Sequence, residues 1–575
     1  MPSFGMYAVF QAGNDARIAT CSQTSQDDVC ATQPADLRGT NAISDATMSS
    51  PRHRCPDGGG YMTLRAALHM LLVTLIILCG VSPARTPDVV MKAATMLSRS
   101  RCGWRGIRFC LFSARNSRCF AECTPKQSEE LSMTGAFFHY PDKSAAQSQS
   151  DPTHLAATPP MGWNSWDAYG YTVREEEVKA NADYMAKNLA RYGWQYVVVD
   201  IEWYTPRTKS NGYIPDPTNV RMDEFGRLTP APNRFPSAAA GTGFKPLADY
   251  VHSERLKFGI HIMRGIPREA VDKNLPVKGT LYHAADVADK DHVCTWPGMT
   301  DMYGVDTSRP GGQAYYDSIA ELYASWGVDF IKADDMVSPF HASEIEALSR
   351  ALRKTRRPIV LSLSPGPAPL EQAEFLRASA QMWRISGDFW DSWPSLKRQF
   401  ELTRRWETHI RPGGWPDADM LALGRLSIRG EVGGDRSSRL THDEQRTLLT
   451  LWSIFRSPLI FGGDLPSNDA FTLSLLTNPD VIAVDQHSSG NHQSYAKGTI
   501  IVWLADVPGA RDEYTAVFNI GDSSENVDLS WADLGVNAKR AVVRDLWQRR
   551  DMGTQEEIHE NLRPHAALLY KILPE

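Results

Sequence analysis

"TVREEEVKANADYMAKNLARYGW", residues 172–194, runs straight into "QYVVVDIEW", residues 195–203, and this junction decides the fold. Thr172 and Glu175 stand at a capping-box spacing, Val178, Ala182, Met185, Leu189 and Tyr192 share one face of a 3.6-residue helix, and Gly193 supplies the stop. The Val-Val-Val run that follows does not alternate with polar residues, as expected of a strand covered on both faces. The pair predicts a helix handing the chain to a parallel strand.

The unit recurs outward from there. "KFGIHIM" (257–263) reads as a further buried strand, a helix over 311–326 precedes "VDFIKAD", one over 342–355 precedes "PIVLSLS", one over 370–379 precedes "QMWRISGD", and one over 441–455 precedes "SPLIFGGD". With "PMGWNSW" near 160 and "DADMLAL" near 417 the count reaches about eight strands. Eight alternations, with no glycine-rich phosphate turn after the first strand, favour a (β/α)8 TIM barrel over 157–485 rather than an open doubly wound sheet. Beyond residue 485 the helical period ends. "GTIIVWLAD", "EYTAVFNIG", "ENVDLSW", "AVVRDLW" and "HAALLYKIL", separated by turn residues, predict an antiparallel β-sandwich over 486–575, read as an accessory domain.

Residues 1–150 carry no sustained period and are expected to be a mostly disordered leader. Inside it, 62–84, "MTLRAALHMLLVTLIILCGVSPA", has an arginine, a short apolar run and a small-residue Ser-Pro-Ala site, the pattern of a secretory signal and too short for a membrane span. A signal there implies a true start at Met62 and a secreted or periplasmic protein; a chance apolar patch leaves it cytoplasmic. The eight Arg or Lys residues between Arg85 and Arg118 are unusual for a mature secreted segment.

Composition excludes several classes. A net charge of -6 without a basic face in the patterned region gives no nucleic-acid signature. Eight of the nine cysteines lie before residue 124 and only Cys294 follows, so no disulfide framework is expected in the main body. No CxxC pair occurs, and Cys119 and Cys123 lack histidines at zinc-site spacing, so no metal is expected.

In a (β/α)8 barrel the strand ends form the reaction site, which makes their polar residues informative. Asp200 and Glu202 close the second strand, His261 and Arg264 the third, Lys332, Asp334 and Asp335 the fourth, Ser362 and Ser364 the fifth, Arg384, Ser386 and Asp388 the sixth, and Asp417 and Asp419 the seventh. Strand parity puts Lys332 and Asp334 on one face, with Asp335 opposite, and groups Arg384, Ser386 and Asp388. Either cation and carboxylate pair alone reads as readily as an ion pair tying off the rim. Both together, with Trp166, Trp203, Trp296, Trp390, Trp393 and Trp415 near the same ends, point to a sugar pocket, because aromatic faces suit the C–H faces of sugar rings and charged groups bond hydroxyls. Paired carboxylates there point to glycosidic cleavage, one attacking the anomeric centre and one protonating the leaving oxygen. Lys332 favours an ionised neighbour; an apolar wall of Phe389 and Trp390 favours a protonated one, opposed by Arg384.

"TPPMGWNSWDAYG" (158–170), "YVVVDIEWY", "WGVDFIKADD", "RISGDFWDSW" and "GGWPDADMLALG" (413–424), in this order, resemble glycoside hydrolase family 27, the α-galactosidase or melibiase family with its β-L-arabinopyranosidase branch. The resemblance covers the barrel and the sandwich and none of residues 1–150. It implies Asp334 as nucleophile and Asp388 as acid/base of a retaining exo-glycosidase, with Lys332, Arg384, Trp166, Asp200 and Asp419 as sugar ligands or their supports. No cofactor is implied.

Three positions depart from the family pattern. Asp200-Ile201 replaces a pair of aspartates, with Glu202 nearby, His261 replaces a tyrosine, and Ser364 stands where an acid beside the sugar 2-position is common. Ile201 could fill the volume of the exocyclic CH2OH of galactose, which β-L-arabinopyranose lacks. With Trp203 added to the pocket, the expected substrates are α-D-galactosides first, β-L-arabinopyranosides close behind and α-N-acetylgalactosaminides third. A barrel that binds sugar without cleaving it remains the alternative of a different class, although both carboxylates are present.

Overall fold

The computed structural model describes residues 155–575 and the backbone of an antiparallel hairpin, Met6–Ala12 with Asp15–Cys21. Apart from that hairpin, the expected disorder of 1–150 lies outside the described residues, as does the apolar segment 62–84.

Eight parallel strands form the sheet: β1 Met161–Asn164, β2 Tyr196–Val199, β3 Lys257–Met263, β4 Phe330–Asp334, β5 Val360–Leu363, β6 Met382–Arg384, β7 Trp415–Asp417 and β8 Leu459–Phe461. They follow the order β7-β6-β5-β4-β3-β2-β1-β8. Leu421 closes the remaining seam, its N–H donating to Ile460 O at 2.7 Å and its carbonyl accepting from Gly462 N at 3.0 Å. The sheet is therefore a TIM barrel with every unit read from the pattern in place. Helices α1 Glu175–Asn188, α2 Lys245–Ser253, α3 Pro310–Trp326, α4 Ala342–Thr355, α5 Ala373–Ser379, α6 Trp393–Trp406, α7 His442–Phe455 and α8 Pro479–His487 accompany the strands. The strands are buried on both faces, which is why their sequences run apolar without alternation.

The capping box of α1 sits two residues later than expected. Thr172 spends its hydroxyl on Tyr169 O, 2.8 Å away, closing the turn Gly170–Thr172, and the Arg174 N–H instead donates to the Glu177 carboxylate at 2.9 Å. The expected geometry does occur at α7, where Thr441 Oγ1 accepts from Glu444 N and the Thr441 N–H donates to Glu444 Oε2 at 2.7 Å.

Beyond α8 the chain forms antiparallel strands in two sheets, one of six strands between Ser489 and Pro574, the other pairing Glu525–Ser530 with Glu557–Leu562. Trp531, Val543, Ile558 and Ile572 lie buried between them. This sandwich abuts the barrel through Phe518 against Phe400 of α6 (ring centroids 5.0 Å apart), Trp503 against Phe455 of α7, and the Trp547 indole, which donates to Thr450 at 2.9 Å. No described helix is long and apolar enough to cross a membrane.

Candidate active site

The pocket opens at the C-terminal ends of the strands and has a volume of about 470 Å³. Its inner end is charged. Register places His261 of β3 and Ser362 of β5 level with Lys332 of β4, one step below Asp334. Lys332 donates to Asp200 Oδ2 at 2.9 Å, the same oxygen that accepts from Asn164 Nδ2 at 2.7 Å. Asn164 Oδ1 also accepts from the Trp166 N–H at 2.8 Å, so one asparagine ties the first aromatic of the site to the first acid. The motif "GWNSW" contained this residue, but a neutral side chain in mid-motif gave no signal of charge.

Asp334 points into the pocket. Burial raises its pKa, but His261 Nε2, 3.0 Å from Oδ2, and the ammonium of Lys332 outweigh burial and hold the carboxyl well below the usual carboxylate range. Lys332 itself is driven down by burial and up, more strongly, by Asp200 and Asp334, and stays charged. Opposite stands Arg384 of β6, whose guanidinium bonds Asp419 Oδ1 at 2.8 Å and Asp388 Oδ1 at 3.1 Å. The Asp388 side chain is half exposed (49%), whereas Asp419 is buried (3%), so of the two it is Asp388 that faces solvent and substrate. Burial raises the Asp419 pKa against the pull of Arg384, and its Oδ2 accepts the Phe389 N–H at 2.7 Å, anchoring the loop that carries Asp388. Glu202, Asp335 and Asp419, just past the ends of β2, β4 and β7, all adopt positive φ without being glycine, a conformation found where a site constrains the backbone.

The outer wall is aromatic. Trp166 meets Tyr171 edge to face at 4.9 Å, Tyr171 meets Tyr213 at 4.8 Å, and Tyr213 stacks with Trp296 at 6.5 Å. Ile201, Pro365 and Glu431 complete the lining together with Asp200, Lys332, Asp334 and Asp388. Tyr171, Tyr213 and Glu431 escaped the sequence reading because they come from long loops, where neither period nor parity applies.

Several expected sugar contacts are displaced. Trp203 is fully buried, donates its indole N–H to His261 O at 2.7 Å, and sits among Tyr204, Phe244, Tyr323 and Trp326 in the layer behind the strands. His261 is fully buried behind Asp334 and touches that carboxylate instead of lining the pocket. Ser364 is also buried, bordering a small internal space under the pocket with Lys332, Arg384 and Asp419. Trp393 begins α6 and stacks on His565 of the sandwich at 3.7 Å, and Trp415 donates to Ala156 O from the opposite end of β7. Phe389 packs against Trp452 in the core and forms no wall over Asp388. Glu202 likewise stays behind the pocket, where burial, with the charge of Asp301, pushes its carboxyl up to about 8. Trp203 thus lies outside the strands, whereas His261, level with Lys332, and Ser364 lie beneath the pocket, so depth along the strand decides their place as much as parity does. Among the described residues no cluster of His, Cys, Asp and Glu is fit to hold a metal ion.

Paired carboxylates facing one pocket at the mouth of a (β/α)8 barrel define a glycoside-cleaving enzyme. The profile of the family described as Alpha galactosidase A matches residues 294–487, and that of the Alpha galactosidase C-terminal beta sandwich domain matches 497–572. An α-galactosidase of Coffea arabica is 30% identical over 430 residues, covering 73% of this chain and 95% of its own, and Alpha-galactosidase 2 of Arabidopsis thaliana is 29% identical over 427, covering 73% and 90%. The crystal structure of a GH27 β-L-arabinopyranosidase from Geobacillus stearothermophilus superposes with a TM-score of 0.71 at 50% identity, over 74% of this chain and 98% of that one. The chain belongs to the α-galactosidase family, glycoside hydrolase family 27, and is a glycoside hydrolase of α-galactosidase type.

Proposed function

We propose that the enzyme removes terminal sugars of galacto configuration, α-D-galactosyl and β-L-arabinopyranosyl units alike, by double displacement, and that its pocket favours the pentose. Asp334, kept ionised, attacks the anomeric carbon while Asp388 gives its proton to the departing oxygen. The glycosyl ester on Asp334 is then hydrolysed by a water that Asp388 deprotonates, so the anomeric configuration is retained and both carboxyls return to their starting states.

The observation that carries the pentose preference is Ile201. It is buried and lines the pocket immediately after Asp200, so an apolar branch occupies a position where a hexose would need a partner for its exocyclic hydroxyl. An unpaired hydroxyl against a hydrocarbon surface is disfavoured, and a missing CH2OH leaves nothing unpaired. The 50% identity to a solved β-L-arabinopyranosidase supports the same reading.

The test is hydrolysis of 4-nitrophenyl β-L-arabinopyranoside, α-D-galactopyranoside and α-N-acetylgalactosaminide side by side, with the anomer released followed by NMR and Asp334→Ala as control. Highest kcat/KM on the pentoside with retention is expected. Undiminished hydrolysis by Asp334→Ala, or an inverted product, sinks the mechanism; a preference for either hexoside sinks the pentose assignment.

We infer export from the segment 62–84, on its arginine, apolar run and small-residue site. Expression of the chain from Met62 with fractionation of the cells checks this, and retention in the cytoplasm overturns it.

A further inference from the structure

Of the carboxylates lining the pocket, Asp334 and Asp388 do the proposed chemistry and Asp200 pairs with Lys332, which leaves Glu431 without a task. It sits on the loop after β7, a segment fixed at many points. Ser427 N donates to Asp167 O at 2.7 Å, Arg429 N to Ala168 O at 3.1 Å, and Arg436 and Arg439 both bond Asp391. Gly170, at φ 49°, lets the loop pass close by, since a Cβ there would stand 3.1 Å from Arg429 O and 3.3 Å from Gly430 Cα. The amide of Asn211, with its nitrogen turned toward the loop, reaches Gly430 O at 2.8 Å and Glu431 O at 3.1 Å. Backbone held this firmly aims its side chain.

That side chain is only half bonded. Glu431 Oε1 accepts from the Tyr171 hydroxyl at 3.0 Å, and Oε2 has no hydrogen-bond partner among the described residues. Its place in the pocket follows from two neighbours. The ion-paired inner end, with Asp200, Lys332 and Asp334, is where the proposed mechanism seats the glycone, and Glu431 lines the same pocket as Asp388, the group that serves the leaving oxygen. Tyr171 continues into Tyr213 and Trp296, aromatic surfaces on the same wall.

Resting on the galacto-configured glycosidase reading, we propose that Glu431, oriented by Tyr171 and flanked by Tyr213 and Trp296, forms the leaving-group subsite and selects substrates whose leaving group is itself a sugar. A carboxylate accepts hydrogen bonds and donates none, so it rewards a partner that offers hydroxyls. A second sugar ring presents adjacent hydroxyls to Oε2 and C–H faces to the aromatics. A nitrophenol offers Glu431 no donor. The natural substrates are therefore oligosaccharides or polysaccharide side chains ending in the pentose or its hexose counterpart, in place of simple aryl or alkyl glycosides.

The experiment compares kcat/KM for a β-L-arabinopyranosyl disaccharide with that for 4-nitrophenyl β-L-arabinopyranoside, in the full enzyme and in Glu431→Gln. Loss of a charged hydrogen bond to the leaving sugar lowers the disaccharide-to-aryl ratio about 10- to 100-fold, mostly through KM for the disaccharide. A fall shared equally by the two substrates, or a ratio that does not move, overturns the subsite. If Glu431→Gln does not fold, as read by its melting curve, Tyr171→Phe reports the same ratio, with a fall of about 2- to 10-fold expected from one neutral bond; an unmoved ratio there overturns it equally. A wild-type enzyme that cleaves neither substrate refutes the glycosidase reading itself, whereas cleavage of both with an unmoved ratio refutes the subsite alone.

Discussion

Asp334 and Asp335 are adjacent in the chain and opposite in their surroundings. Asp334 closes β4 and faces the pocket. Asp335 turns to φ 58° and hands its side chain to Arg264, 2.8 Å away, which also bonds Glu344 at 2.6 Å. Both acids are buried beside a cation, yet their acidities move apart. For Asp335, burial outweighs a guanidinium that divides its charge with Glu344, and the carboxyl is pushed up to about 6. For Asp334, His261 and Lys332 outweigh burial and hold it low. A neighbouring cation does not by itself make a reactive carboxylate; the number of donors set against the burial does. One strand end thus separates chemistry from construction within two residues.

The strongest way to break the comparison is to remove each side in turn. Asp334→Ala is expected to lower kcat/KM by about 10^4-fold or more. Comparable rates in the variant and the parent end the assignment. Arg264→Met strands Asp335 and Glu344 without a cation and is expected to lose about 3–5 kcal/mol in chemical denaturation. Wild-type stability in this variant shows that the pair does not hold the rim. Ile201→Asp sharpens the pocket side, moving the ratio of galactoside to arabinopyranoside hydrolysis toward the hexose by about 10- to 200-fold. An unmoved ratio places the selectivity elsewhere.

The smallest effect is one of pH. The Asp335 pKa is raised in the folded state, so between about 4, its ordinary value, and about 6 the native protein holds a proton that the unfolded chain has lost. Its contribution to stability is present below that window and fades as pH rises through about 6. Asp335→Asn removes this contribution, so unfolding free energy across pH 4–6 should fall less with rising pH than in the parent; identical slopes contradict the burial argument. Asp334, depressed in the native state, has the opposite sign and stabilises above its unfolded value, an effect lost only at strongly acidic pH.

The barrel was legible because buried parallel strands leave continuous apolar runs, and the helix limits over 311–326 and 342–355 were met to within a residue. The pair Lys332 with Asp334 was legible because strand parity fixes direction, whereas β6 ends at Arg384 and Asp388 meets it from the loop that follows. What escaped is governed by loops and by the third dimension. His261 stands at a strand end but behind the nucleophile, Trp203 turned into the layer beneath the helices, and Tyr171, Tyr213 and Glu431 reached the pocket through connections with no period to read.

The seam of the barrel lies beside the proton donor. Leu421 bridges to β8, and two residues earlier Asp419 holds both Arg384 and the amide of Phe389 beside Asp388. The other edge of β8 pairs with β1 and brings together Trp163 and Gly463, 300 positions apart along the chain. The contact that posts the proton donor, Asp419 with the Phe389 amide, spans 30 positions of the chain, whereas Lys332 and Asp200 meet across 132. Hydrolysis therefore draws on both kinds of contact, the proton donor posted by nearby chain and the nucleophile's cation by distant chain, and reports the finished barrel.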